Sequence, residues 1–412
     1  MHAISFESLL LDAKKLAKEV SPESRAFEEQ RRLPTEVVNK LKRIGVFRMN
    51  FPMEWGGLEL TSPQQTQIIE QLAVGDAAVA WCAMIGSDSG IYSGFIEESV
   101  ARNMFTVDSI TAGWIHPQGK AEIVPGGYRV TGRWRFGSGL SHCDILSAGC
   151  YVYQNGNKLL DAQGAPIWRV MMAKPDEYEL LDNWHTTGLA ASGSRDYCAN
   201  DLFIPFEHSF SFSEPYRKGP LHDVPDAILR NMAGIPLGMA RASLDYAISL
   251  AEHKFDRSLS VSWKNSSRVQ MVLAQSEIAL YSARSAVYSS LSEQWDSLTG
   301  KEPLSDMRRI TVALARQQAF EVSRQIISSL YDLVGGALIY KRETPMDKWL
   351  RDSYTMNQHA VASESIVQQC GQYLLNGHSN NLFTRFKTCS SLALRICNLS
   401  SGHWLYFCNV LS

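Results

Sequence analysis

The chain has 412 residues, 45% of them hydrophobic, enough for two or three domain-sized units with separate cores. With 40 basic against 42 acidic side chains and a net charge of −2, nothing favours nucleic acid, and a small molecule is the expected partner. The 8 cysteines form no Cys-x-x-Cys pair or zinc-finger spacing, the start does not resemble a signal peptide, and no run of about 18 uncharged apolar residues occurs; a disulfide scaffold, a zinc site and a membrane span are excluded, and a cytoplasmic setting is expected.

From Phe6 to about Met104 the apolar spacing is helical. Leu33-Pro34-Thr35-Glu36 opens one helix, Val37, Val38, Leu41 and Ile44 recur at spacings of three and four, and Gly45 ends it. Phe51-Pro52 to Gly56-Gly57 reads as a turn-rich loop, and from Pro63 a long buried helix is expected through Ile68, Leu72, Val79, Trp81 and Met84. From about Ser109 to Phe210 the period becomes two. Tyr128, Val130, Gly132, Trp134 and Phe136 alternate with Arg129, Thr131, Arg133 and Arg135 after a Gly126-Gly127 turn, and residues 145–153, 167–173 and 201–205 read as further strands. Strands that follow one another without intervening helices imply a small antiparallel β domain, not a Rossmann unit. Beyond Pro215, Pro220 and Pro225 the helical pattern returns over 232–255, 267–295, 306–334 and 345–375, with Gly335-Gly336 between the third and fourth segments. The expected class is α+β: a helical domain over 1–108, the β domain over 109–220, a four-helix bundle over 221–378 and an irregular tail over 379–412.

No Gly-x-Gly-x-x-Gly, phosphate loop or Gly-x-Ser-x-Gly elbow appears, and no His-x-x-x-His supplies metal ligands. The motifs that remain point elsewhere. Leu33-Pro34 through Gly45-Val46, then Phe51-Pro52-Met53-Glu54-Trp55-Gly56-Gly57, resembles the opening of acyl-CoA dehydrogenases. Gly127 through Gly139 looks like their central flavin-covering strand. The form Gly132-Arg133-Trp134-Arg135-Phe136-Gly137-Ser138-Gly139, with His142-Cys143 after it, is closer to the two-component flavin monooxygenases of that fold. Trp184-His185 with Gly188-Leu189, Gly193-Ser194-Arg195-Asp196, Ile204-Pro205, and Trp349-Leu350-Arg351-Asp352 followed by His359 resemble the same subgroup.

The resemblance implies a flavin, FAD or FMN, used in reduced form and delivered by a separate reductase, since the chain shows no nicotinamide site. It implies a homotetramer as well. Ser138 is suited to the flavin N5 edge, although a turn serine between two glycines reads the same way. Phe136 and Trp134 suit either a flavin face or a core. His359 takes a place where the subgroup keeps a histidine against the flavin, able to donate a proton to flavin-bound oxygen; its bland alternative is a bundle histidine. Trp114 and His116 fall in the expected flavin-contacting loop, where His116 could equally face solvent, and His185 reads as structural. Lys254 stands about where the family places a phosphate-binding arginine, and Gly335-Gly336 matches a glycine pair that lets a neighbouring subunit's cofactor approach. Trp81 and Asp88 belong to the segment where phenol hydroxylases of the subgroup carry their base, and no histidine is found there.

A dehydrogenase needs a carboxylate to remove the proton α to the thioester. Ala360 occupies about the place where the family keeps one, 227–234 holds no acid, and Glu364 is the only substitute. The expected function is therefore oxygen insertion into a small aromatic or heteroatom-containing substrate. A flavin dehydrogenase or oxidase using Glu364, and a flavin-free scaffold that kept the fold, are the alternatives.

Overall fold

The computed structural model describes residues 4–256, 261–300, 304–340 and 343–375; the tail over 379–412 lies outside them. The first part is helical: α1 (Phe6–Val20), α2 (Ser24–Gln30), α3 (Thr35–Ile44), α4 (Ser62–Gly75), α5 (Ala77–Ser87), α6 (Ser89–Tyr92) and α7 (Glu98–Met104). Ser5 and Ser8 cap α1 reciprocally, Thr61 and Gln64 do the same for α4, and α3 ends on Gly45 at φ +93°. The single long helix expected from Pro63 is instead two. Asp76 is extended, and its carboxylate caps α5 by accepting from the Val79 amide at 2.9 Å. The same carboxylate accepts from Lys348 Nζ and Ser24 Oγ, a long-range tie that the local apolar spacing does not reveal.

The sheet comprises β1 (Thr111–Val124), β2 (Gly127–Gly137), β3 (Ile145–Gln154), β4 (Asn157–Lys158), β5 (Trp168–Ala173), β6 (Glu179–Leu180), β7 (Arg195–Pro205) and β8 (Ser209–Phe210). Its order is β6-β7-β2-β1-β3-β5-β8, with β4 on β3. The expectation of a purely antiparallel sheet is corrected at one pairing: β1 and β3 run parallel, because the chain after β2 crosses back to the start of β1 before re-entering the sheet. Within that pair the register jumps between Trp114 and Gly119. Gly149 permits the resulting bulge, since a Cβ there would lie 2.1 Å from the Ile115 carbonyl oxygen. Trp134, one of two candidates for a flavin face, belongs to the core: it is fully buried, stacks on Tyr197 and donates to the Gly149 carbonyl.

Helices then return as α8 (Ala227–Arg230), α9 (Gly234–His253), α10 (Ser267–Thr299), α11 (Asp306–Val334), α12 (Met346–Met356) and α13 (Glu364–Leu374), with a small ribbon of β9 (Phe255–Asp256) and β10 (Val261–Ser262) after α9. Leu237, Leu244, Val287, Leu291, Ala319 and Leu330 pack between α9, α10 and α11. The expected fourth bundle helix is interrupted between α12 and α13. His359 is extended there, and its ring Nδ1 accepts from the Val361 amide at 3.3 Å, capping the turn Ala360–Ala362. No helix among the described residues is long and apolar enough to cross a membrane.

Candidate active site

A cavity of about 650 Å³ opens where the three parts of the chain meet, within the size range of small-molecule sites. α5, α6 and α8 contribute Trp81, Ile85, Tyr92, Ile228 and Leu229, and Asp88 comes from the junction of α5 and α6. β1, the end of β2 and the turn after it contribute Trp114, His116, Phe136 and Ser138, and the break after α12 contributes His359. Seven of the residues singled out from sequence, Trp81, Asp88, Trp114, His116, Phe136, Ser138 and His359, thus share one cavity.

Aromatic rings frame it. The His359 ring meets the indoles of Trp81 and Trp114 edge-on at centroid distances of 5.5 and 6.2 Å. Trp114 in turn meets Phe136 at 5.9 Å, and Phe136 meets Trp184 at 6.3 Å. Phe136 adopts φ +64°, a costly conformation for an aromatic residue, and keeps 49% of its surface open although it ends a strand. Trp114 is held by its backbone: its amide donates to the Tyr197 hydroxyl at 2.7 Å. The Trp114 indole Nε1 is buried and has no hydrogen-bond partner among the described residues.

Ser138, only 6% exposed, follows β2 directly. Its Oγ accepts from Trp81 Nε1 at 3.0 Å and lies 2.7 Å from Ser194 Oγ, which lies 2.6 Å from Ser192 Oγ; Ser192 donates to the Leu189 carbonyl at 2.7 Å. Ser192 has spent its proton on Leu189. The two short contacts then take the remaining two protons, Ser194 donating to Ser192 and Ser138 to Ser194, so Ser138 serves a ligand in the cavity only by turning its proton away from Ser194. Ser138 stands in the turn after β2, as the turn reading expects, and also lines the cavity.

His359 is half-buried. Burial first, and the Arg316 guanidinium second, push its pKa down to about 4, so the ring is neutral near pH 7. Because Nδ1 accepts from the Val361 amide, the proton resides on Nε2 and the ring is a neutral donor. Burial also lowers the pKa of His116, whose side chain stands on the bulge and remains exposed in part. Asp88 is 3% exposed, burial raises its pKa well above the carboxylate range, and its Oδ1 has no partner among the described residues.

The other candidates lie elsewhere. Lys254 ends α9, donates to the Val334 carbonyl at 2.8 Å and sits over the Trp263 ring, next to Gly335 and outside the cavity lining. Added Cβ atoms at Gly335 and Gly336 would meet nothing within 4 Å. Glu364 starts α13, is exposed and does not line the cavity. His185 lies 3.1 Å from the Arg31 guanidinium, away from the cavity lining.

Sequence reasoning missed Ser192 and Ser194 as hydrogen-bonding residues and Trp184 as a wall. Their place depends on the loop before β7, which Asp352 pins by accepting from the Leu189 amide at 2.6 Å. The Ser192-Gly193-Ser194 triplet was the available signal, since small polar residues around a glycine suit a close approach.

The residues fit a planar, polar-edged tricyclic ring system: aromatic walls, an unpartnered buried indole donor, and a serine and a histidine with protons to offer. Comparison with known proteins agrees. The family model for the acyl-CoA dehydrogenase N-terminal domain matches residues 12–98, and that for the C-terminal domain matches residues 231–364. The chain is 29% identical to an indole-3-acetate monooxygenase of Acinetobacter baumannii, over 84% of this chain and 88% of that protein. It is 23% identical to the oxygenase subunit HsaA, a flavin-dependent monooxygenase of Mycobacterium tuberculosis, over 86% of this chain and 92% of that one. The crystal structure of the M. tuberculosis HsaA monooxygenase shares the fold at a TM-score of 0.83 and 20% identity, covering 92% of this chain and all of that one. XiaF from Streptomyces sp., solved with FADH2 and glycerol, does so at 0.81 and 20% identity, over 90% and 96%.

Proposed function

The chain belongs to the acyl-CoA dehydrogenase family, and we propose that within it the protein is the oxygenase component of a two-component flavin monooxygenase acting on a small aromatic substrate. The observation that carries this is the Trp81 indole, which hydrogen-bonds Ser138 and packs against His359, joining two proton-bearing groups over one apolar cavity. Reduced flavin, FAD or FMN from a separate reductase, supplies the electrons with which dioxygen gives one atom to the substrate and one to water. The chain's own part is to hold the ring and the protons. Trp81, Trp114, Phe136 and Trp184 exclude water from the reacting centre. Ser138 Oγ offers a hydrogen bond to the flavin edge, and His359 Nε2 donates a proton to the developing oxygen charge without itself being cationic. His116, on the bulge, lines the cavity from the β-domain side.

Assembly as a homotetramer is part of the proposal. Met271, Ile278 and Tyr281 are exposed on one stripe of α10, and the open Gly335-Gly336 turn leaves room beside Lys254 for a neighbour's cofactor. The dehydrogenase alternative loses support because Glu364 lies outside the cavity lining. Photoreduced flavin, dioxygen and a panel of indoles and phenols test the reading with His359→Ala. Product formation is expected to fall by about two to four orders of magnitude while hydrogen peroxide release rises. Unchanged coupling of oxygen to product would remove His359 from the mechanism.

A further inference from the structure

The part proposed for His359 needs one of its ring nitrogens bare. Nδ1 accepts from the Val361 amide at 3.3 Å and so caps the turn Ala360–Ala362. A proton on Nδ1 would set two N–H groups against each other, undo the cap and release the ring. α11 packs against that turn, and one helical turn past Arg316 its Phe320 carbonyl accepts from Asn357 Nδ2 at 3.3 Å. Arg316 is 3% exposed, and its Nε and Nη1 have no hydrogen-bond partner among the described residues. Asp226, the carboxylate that attracts it, is committed elsewhere. Its Oδ1 accepts twice from Arg230, at 2.9 and 2.6 Å, and its Oδ2 accepts from Gln294 at 2.8 Å. Burial lowers the Arg316 pKa to about 10, which leaves a full positive charge at pH 7. An enclosed cation without a counterion is poorly screened, and its field reaches the His359 ring.

We infer that Arg316 is a positioning residue for His359: its uncompensated guanidinium keeps Nδ1 free of a proton, so that the cap on Val361 holds and Nε2–H remains the donor. The inference rests on the monooxygenase reading only for the use made of that Nε2 proton. The other groups around the ring do not offset the charge. Asp88 and Tyr92 on the α5–α6 side have pKa values raised by burial, and His116 on β1 has one lowered, so each favours its neutral form. On α12, Asp352 is paired with Lys348, and Tyr354 lies under the Arg324 guanidinium of α11, itself paired with Glu321. On α13, burial favours the Cys370 thiol, and Glu364 is exposed.

Histidine labelled with ¹³C at Cε1 lets each ring be titrated by NMR in the full-length protein, His359→Gln identifying the signal. No turnover is needed, so this result is independent of the monooxygenase reading. The wild-type ring is expected to stay neutral down to about pH 5. Arg316→Met and Arg316→Gln, which remove the charge without and with a polar head, are expected to raise the midpoint by at least about one pH unit, and Arg316→Lys to restore it. With reduced flavin and dioxygen, the fraction of oxygen reaching product is expected to fall at least about threefold between about pH 7.5 and about pH 5.5 in the two neutral variants, and to hold in wild type and Arg316→Lys. A wild-type ring half-protonated above about pH 6.5, which needs no variant to observe, overturns the inference. So do neutral variants whose ring titrates with wild type, an Arg316→Lys that titrates with them, or level coupling in an active neutral variant. The expected midpoints in a protein that forms no product would uphold the inference and sink the monooxygenase reading.

Discussion

At Ser138 a proton count decides the outcome. Ser192 donates to the Leu189 carbonyl, so Ser138 and Ser194 share two protons between the contacts at 2.7 and 2.6 Å and whatever ligand Ser138 faces. Ser138→Ala deletes the donor and frees Trp81 Nε1, and is expected to raise the fraction of oxygen released as hydrogen peroxide several-fold while costing about 1–2 kcal/mol of stability. Ser194→Ala removes only the competitor for the Ser138 proton and is expected to leave coupling intact. Peroxide and product assayed side by side in the two variants check this; a larger loss from Ser194→Ala would reverse the assigned roles. Motif order and spacing singled out His359 and Ser138 in the sequence, and both line the cavity. The proton arithmetic was not legible there, because it depends on Ser194 and Leu189 being brought up by a loop that a distant helix holds.

Among the elements, the decisive joint lies between the loop before β7 and α12. Lys348 is buried between the carboxylates of Asp76, which caps α5, and Asp352, which holds the Leu189 amide. Its ammonium is favoured by those two anions against the cost of burial, and its pKa rises accordingly. Lys348→Met strands two buried carboxylates and is expected to cost about 3–5 kcal/mol in denaturant unfolding. A loss under about 1 kcal/mol would show that the triad is not fully desolvated. Gly188 crosses the same joint so closely that a Cβ would lie 2.3 Å from the Arg351 carbonyl oxygen. Gly188→Ala is therefore expected to push the loop and Trp184 away from the cavity, with about 1–3 kcal/mol of destabilisation and weaker flavin binding. Flavin affinity unchanged in that variant would disconnect the joint from the site. The change of period from helix to strand and back was plain in the sequence, as were α3 and β2. The breaks at Asp76 and His359 were not: apolar spacing continues across both, and only partners far along the chain, or a ring folding back on its own backbone, end the helices there.

For the molecule as a whole, histidines with lowered pKa values set the response to acid. His222 is 4% exposed, and burial, with Arg217 beside it, lowers its pKa from 6.5 to about 3; His142 and His359 are lowered to about 4. Each binds a proton more readily unfolded than folded, so their contribution is complete above about pH 6.5 and is lost as pH falls towards 4. Unfolding free energy is expected to drop between pH 7 and pH 4.5, with His222 accounting for a few kcal/mol on the order-of-magnitude scale of such shifts, and His222→Phe should flatten the slope. Denaturation curves at several pH values check it, and a stability that is level or rises on acidification would contradict the lowered pKa values of these rings. The central claim, that the cavity directs an oxygen atom into an aromatic ring, is tested most directly by isotope. Full-length protein supplied with reduced flavin, indole and ¹⁸O-labelled dioxygen should yield a product carrying one labelled oxygen, and its oxidised-flavin complex should not be bleached by octanoyl-CoA. Unlabelled product, or bleaching by the acyl-CoA with no reductase present, would contradict it.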